Sequence, residues 1–115
     1  MTKEDFSWEK VDKACEKIAL QLKKKKIRAI YGIPRGGLVL AVKLSHLLNV
    51  PIVMGPSDAD AIVDEICDSG KTLTECRKKY PGAVFASIHL NERCCAVPDI
   101  YIHKTKNWIV YPWEK

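Results

Sequence analysis

No apolar run in this 115-residue sequence approaches the roughly 20 residues that a membrane-crossing helix needs. The chain opens Met1-Thr2-Lys3-Glu4-Asp5-Phe6, acidic and polar, whereas a secretory leader is basic and then apolar. The expectation is a cytoplasmic protein with no membrane partner. No C-x-x-C pair occurs. The five cysteines, Cys15, Cys67, Cys76, Cys94 and Cys95, are odd in number and two are adjacent, which suits neither a disulfide framework nor a zinc site. Reduced thiols are expected. Histidine is scarce, and His46, His89 and His103 lie too far apart in sequence to suggest a shared metal. Repeats, low-complexity stretches and signs of a second domain are all absent, and the length is that of one domain.

What is present is the balance of a globular protein: 47% hydrophobic and 29% charged residues. The net charge of +5 owes much to Lys23-Lys24-Lys25-Lys26, continued by Arg28. Such a run can mark a nucleic-acid surface, but no aromatic residues interleave it and no reading-helix motif accompanies it. Cations that close a helix complement its dipole, so no nucleic-acid partner is expected.

Apolar spacing organises the chain. Ser7 can cap a helix whose Val11, Ala14, Cys15, Ile18 and Leu22 recur at three- and four-residue intervals and which ends in the lysines. Ile27 to Gly32 reads as a buried strand, Gly36-Gly37 as a turn, and Leu38 to Leu48 as an apolar helix stopped by Asn49 and Pro51. Pro51 to Met54, Ala61 to Val63, Val84 to Leu90 and Ile100 to Ile102 are further short apolar pieces. A helix is expected from about Thr72 to Tyr80, and the chain finishes in the aromatic-rich Trp108 to Trp113. Uniformly apolar strands alternating with helices predict an α/β fold: a single domain, residues 1–115, built on a parallel twisted sheet with helices on both faces. Within it, 1–26 is expected as an N-terminal helix, 27–104 as the α/β core and 105–115 as an aromatic tail.

Two strand-to-helix turns are unusually polar and glycine-rich: Ile33-Pro34-Arg35-Gly36-Gly37 and Asp68-Ser69-Gly70-Lys71-Thr72. In open parallel sheets such turns line the ligand crevice. Neither is a familiar nucleotide motif. A Walker loop needs glycine where Glu65 stands, and Gly32, Gly36 and Gly37 do not supply G-x-G-x-x-G. Ser69 to Thr72 would still offer backbone N–H groups and hydroxyls at a helix start, a nest for one phosphate, although a simply capped helix would look similar. Asp64 and Glu65, just upstream, would repel a phosphate but suit sugar hydroxyls and Mg²⁺. Arg35 with Gly36 and Gly37 offers a second anion site. A sugar carrying phosphate groups at both ends would span the two turns.

"AIVDEICDSGKTL", residues Ala61 to Leu73, resembles the phosphoribosyl pyrophosphate signature of the type I phosphoribosyltransferases. "IYGIPRGGLVLAVKLSHLL" is similar to the pyrophosphate loop and helix of that family, and "WIVYPWE" to the base-binding end of its xanthine, guanine and hypoxanthine branch. The three motifs stand in the family's order and span about Ile27 to Glu114. The resemblance implies a Rossmann-like fold, purine salvage, and transfer of phosphoribosyl from phosphoribosyl pyrophosphate to a purine base, giving a nucleoside monophosphate and pyrophosphate. It further implies Mg²⁺ as cofactor, held directly or indirectly by Asp64 and Glu65 beside the ribose hydroxyls, and a homodimer. Asp68, Ser69, Gly70, Lys71 and Thr72 would hold the 5′-phosphate, with Asp68 also near the purine imidazole nitrogen. Arg35, Gly36 and Gly37 would meet pyrophosphate on a loop with a strained or cis peptide. Trp108 would stack on the base, and the Ile109 backbone would read its edge.

The sequence departs from that pattern twice. Only about six residues, Gly55 to Asp60, separate Met54 from the signature strand, where family members carry a long flexible lid. Asn91 stands where purine members place a lysine that meets the 6-oxo group, with Arg93 close by. Two functions therefore stay open on the sequence: a purine phosphoribosyltransferase, or a non-catalytic binder of phosphoribosyl pyrophosphate or nucleotide on the same scaffold.

Overall fold

The computed structural model describes residues 2–115. Its elements run β1 (Lys3–Asp5), α1 (Trp8–Lys23), β2 (Ile30–Gly32), α2 (Gly36–Leu48), β3 (Ala61–Cys67), α3 (Lys71–Lys79), β4 (Val84–Asn91), β5 (Ile100–Thr105) and β6 (Trp108–Val110), with single 3₁₀ turns at Pro56–Asp58 and Pro112–Glu114. Strands β2, β3, β4 and β5 form one parallel sheet in that order, and β1 and β6 pair in parallel as a second sheet of two. No helix among the described residues is long and apolar enough to cross a membrane.

Local chemistry explains the elements. The Ser7 Oγ accepts the Lys10 N–H at 3.2 Å and caps α1, whose Val11, Ala14, Cys15, Ile18, Ala19 and Leu22 are buried along one face. Helix α2 closes on Asn49 in the left-handed region, φ 55°, a conformation that asparagine tolerates better than most residues. Helices α1 and α2 cover one face of the sheet, packing Ile18, Leu40 and Leu44 onto Ala61, Val63 and Ile88. Leu73 of α3 packs on the other face with Ile62, Phe85 and Leu90. The α/β expectation, with both faces of a parallel sheet covered, therefore holds.

Several boundaries differ from the sequence reading. The strand expected from Ile27 starts at Ile30, because the lysine run leaves α1 at Lys23 and turns through Lys26 at φ 54°. Pro51 to Met54 forms no strand and makes a single bridge, Ile30 to Ile52. Gly36 and Gly37 open α2 rather than preceding it, and α3 begins at Lys71. The segment read as an N-terminal helix also carries β1, and the aromatic tail supplies β1's partner, β6.

The Ile30 to Ile52 bridge fixes the topology. From β2 the chain passes over α2 to the outer edge of β2, then steps back to β3 on the other side; from there β4 and β5 follow in the opposite direction. The strand order therefore reverses between β2 and β3, and the crevice beyond their carboxyl ends is where such sheets bind ligands.

Candidate active site

Both helices that start at this crevice lack side-chain caps, whereas α1, which starts elsewhere, has one. Apart from the Lys71 N–H, which donates to Ser69 Oγ at 3.3 Å, and the Leu38 N–H, which donates to the Arg35 carbonyl at 3.1 Å, the first-turn N–H groups of α2 and α3 are open to an outside acceptor, with the positive end of each dipole behind them. Helix α2 is entered through a cis peptide between Pro34 and Arg35. Helix α3 is entered through Gly70 at φ 89°, where a Cβ would press on the sulfurs of Cys94 and Cys95.

Three adjoining cavities share one residue, Glu65. The first, about 180 Å³, is lined by Asp64, Glu65, Asp68, Ser69, Gly70 and Thr72. A second, open cavity of about 640 Å³ lies against Arg35, Gly36, Val39, Trp113 and Glu114. The third, about 140 Å³, is lined by Asp68, Asn91, Arg93, Asn107, Trp108 and Ile109 among others. Phosphate loop, arginine loop and aromatic tail, distant in sequence, therefore converge on one carboxylate. Gly36 is needed there, since a Cβ at that position would overlap the Glu65 carboxylate.

Of the expected residues, Gly37 and Lys71 line none of the three cavities. Gly37 is buried where α2 crosses the β2–β3 edge, a Cβ there meeting the Val63 carbonyl at 2.5 Å, while Lys71 sits exposed in the first turn of α3. The others line the walls: Asp64 and Glu65 from β3, Asp68 to Gly70 from the loop, Thr72 from α3, Asn91 from the end of β4, and Trp108 and Ile109 from β6.

The carboxylates differ in environment. Burial, reinforced by a hydrogen bond with the Glu65 side chain and by its charge, pushes the Asp64 carboxyl up to about 9, although the Glu65 N–H donates to Asp64 Oδ1 at 2.9 Å. Asp68 is more open and accepts from Arg93 Nη2 at 3.0 and 3.2 Å. Arg93, Asn107, Tyr111 and Glu114 are residues of this site that sequence reasoning did not assign. The Tyr111 hydroxyl donates to the Glu65 carbonyl at 3.1 Å and so accepts from His89 Nδ1 at 2.8 Å, fixing the imidazole tautomer. Glu114 Oε1 accepts the Tyr111 N–H at 2.8 Å and closes a capping box on the 3₁₀ turn Pro112–Glu114.

Asp64 and Glu65 fit a magnesium ion that arrives on a substrate. Among the described residues no group of three or more His, Cys, Asp or Glu could hold a metal by itself. Magnesium is commonly bound by one or two carboxylates together with substrate phosphates, and these two adjacent carboxyls supply that half of a site.

No protein-family model matches the chain. The xanthine-guanine phosphoribosyltransferase of Cereibacter sphaeroides is 32% identical, over 76% of this chain and 69% of that protein. A crystal structure of a purine phosphoribosyltransferase from Pyrococcus horikoshii superposes with a TM-score of 0.86 at 33% identity, covering 100% of this chain and 95% of that one. The Helicobacter pylori xanthine-guanine-hypoxanthine phosphoribosyltransferase gives 0.78 at 20% identity, covering 97% and 93%, and speaks for the fold. A reversed parallel sheet, uncapped helices at its crevice and relatives of this kind together place the chain in the purine branch of the type I phosphoribosyltransferase family.

Proposed function

We propose that the protein transfers the 5-phosphoribosyl group of phosphoribosyl pyrophosphate to a purine base, releasing pyrophosphate and forming a nucleoside monophosphate. The observation that carries this reading is the convergence of three cavities on Glu65, one for each part of the reaction. Ser69, Gly70, Thr72 and the α3 N-terminus suit the 5′-phosphate, with Lys71 adding positive charge from outside the cavity. Asp64 and Glu65 suit the ribose hydroxyls. Arg35, Gly36 and the α2 N-terminus suit the leaving pyrophosphate, with Gly37 letting α2 approach the sheet. Trp108 offers a stacking face and the Ile109 backbone a polar edge to the base, beside Asn91.

The chemistry follows from where charge develops. N9 of the base bonds to the ribose anomeric carbon while that carbon's bond to pyrophosphate breaks, and the imidazole proton passes from N7 to Asp68. Arg35 and the loop amides then face the growing negative charge of the leaving group, an electrostatic and positional mechanism without a covalent nucleophile. Magnesium bound with the substrate would neutralise part of that charge. The exposed Leu38, Val42 and Leu47 of α2 support a homodimer, and a solution mass of twice 13.0 kDa checks it. A cytoplasmic location is proposed with the purine-salvage role.

Incubation with phosphoribosyl pyrophosphate, Mg²⁺ and xanthine, guanine, hypoxanthine, adenine or uracil tests the reading. Nucleotide is expected with at least one purine and none with uracil. Arg35→Ala is expected to lower kcat by roughly 10²–10³-fold while nucleoside monophosphate still binds. Turnover unchanged in that variant sinks the leaving-group role, and nucleotide binding without turnover of any base favours the non-catalytic binder.

A further inference from the structure

We infer that Cys67 and Cys94 form a reversible oxidation site, a thiol pair that a peroxide converts to a disulfide bracing the phosphate loop. The two sulfurs lie 3.0 Å apart, although one residue ends β3 and the other stands in the loop after β4. The bracing role rests on the phosphate reading of Ser69 to Thr72 given above; the bond itself does not.

The fold creates the approach. Strands β3 and β4 are parallel neighbours, with Cys67 in register with Leu90. Asn91 Oδ1 then accepts the Arg93 N–H at 3.0 Å and the Asn91 carbonyl accepts the Cys94 N–H at 2.9 Å, a tight turn that folds the chain back over the end of β3. Both sulfurs lean on one acceptor, the Ala96 carbonyl, 3.0 Å from Cys94 Sγ and 3.9 Å from Cys67 Sγ. A disulfide is about 2.0 Å long, so roughly 1 Å of closure remains for the side-chain torsions to supply.

The same loop carries the phosphate nest. The Cys95 N–H and Sγ donate to the Ser69 carbonyl at 3.3 and 3.2 Å, and a Cβ on Gly70 would meet the Cys95 and Cys94 sulfurs at 2.9 and 3.1 Å. Cys67 itself borders the cavity of Asp64, Ser69 and Thr72. A bond from Cys67 to Cys94 therefore ties the strand that enters the nest to the loop on which the nest rests.

Exposure divides the roles. Cys94 is half-buried and meets the oxidant, whereas Cys67 is 4% exposed and follows. The Cys94 sulfur attacks one peroxide oxygen and the O–O bond breaks, leaving a sulfenic acid and one water. The Cys67 sulfur then attacks the Cys94 sulfur, and the departing hydroxyl takes the Cys67 proton as a second water. Two thiols have given up two electrons and two protons, and the peroxide has become two waters. A dithiol reverses the bond by exchange.

The test treats wild type, Cys67→Ser, Cys94→Ser and Cys95→Ser with hydrogen peroxide and maps the tryptic peptides. Trypsin places Cys67 in residues 44–71 and Cys94 in residues 94–104, apart from Cys15 and Cys76. Wild type should yield these two peptides joined, lighter than their sum by two hydrogen atoms, and dithiothreitol should part them. The link should persist in Cys95→Ser and vanish in Cys67→Ser and Cys94→Ser; if serine at the buried position unfolds the chain, Cys94→Ser carries the comparison. Oxidised wild type should melt roughly 10 °C higher than reduced, the shift one cross-link of this kind supplies, and should still bind ribose 5-phosphate in calorimetry. A sulfinic acid at Cys94 without a link, a link that survives in Cys94→Ser, or a bond that lowers the melting temperature or abolishes ribose 5-phosphate binding would overturn the inference. Reduced protein that binds no ribose 5-phosphate sinks the phosphate-loop reading by itself, while the peptide map and the melting shift still decide the bond.

Discussion

Asp64 concentrates the conflict between stability and function. Its half-buried carboxyl lies beside a second carboxyl, and desolvation first and Glu65 second push it up to about 9. Folding therefore carries a cost that only a sugar or a cation repays. Asp64→Asn, nearly isosteric and uncharged, is expected to raise Tm by at least about 4 °C, equivalent to roughly 1 kcal/mol in a chain of this size. The same change should abolish turnover, and calorimetry beside the base-panel assay checks both. Trp108 shows the opposite balance: it is 54% exposed, so its ring contributes little to the core. Trp108→Ala should leave Tm nearly unchanged but raise KM for the base roughly 10- to 100-fold, the range of one stacking contact, with KM for phosphoribosyl pyrophosphate unaltered.

At the scale of elements, α2 and β4 carry the clearest consequences. Gly36 sits in the first turn of α2, where alanine would gain up to about 1 kcal/mol of helix propensity. Its Cβ, however, would displace the Glu65 carboxylate from the meeting point of the three cavities. Gly36→Ala should fold normally and lose most activity, and a crystal structure should show Glu65 turned away. On β4, His89 is buried between Phe6, His103 and Tyr111, and burial first, then His103, lowers its pKa from 6.5 to about 4. The folded state thus binds its proton less well than the unfolded chain. Stability is full above pH 6.5, falls as pH drops from 6.5 towards 4, and loses at most roughly 3 kcal/mol over that window. His89→Gln should flatten this part of the Tm-against-pH profile.

These elements also mark what could be read in advance. The Ala61 to Leu73 signature and the Arg35 loop were legible because backbone nests and carboxylate pairs are local in sequence. Helix α1 was legible because its apolar spacing is regular and Ser7 caps it. The β1–β6 pair was not, since Lys3, Glu4 and Asp5 have neither apolar alternation nor aromatic content, and a partner 105 residues away gives no local signal. Arg93 was seen but not assigned, because counting along the chain pointed to Asn91 and the turn that re-aims the loop exists only in three dimensions.

The whole molecule places its crevice at one end of the sheet and its short Gly55–Asp60 connection at the other. The Asp60 N–H bonds the Ala29 carbonyl at 3.0 Å, beside the amino end of β2, so this loop does not overhang Arg35 and Glu65. Water is therefore expected to reach the reacting carbon, with pyrophosphate released in the absence of any base and that release lost again in Arg35→Ala. A coupled assay run with and without hypoxanthine measures the leak.

The two-stranded clasp has a different consequence. Its three-residue strands hold Trp108 and Ile109 against Lys3 and Glu4, with Asn107 Nδ2 anchored on Glu4 Oε1 at 3.0 Å, while the ribose-phosphate residues hang on the four-stranded sheet. Two short strands are a marginal unit, so amides of Glu4, Ile109 and Val110 should exchange with deuterium well before those of Ile62, Ala86 and Ile88. On gentle warming the protein would loosen its hold on the base first, and a sample that no longer retains a purine would still hold ribose 5-phosphate.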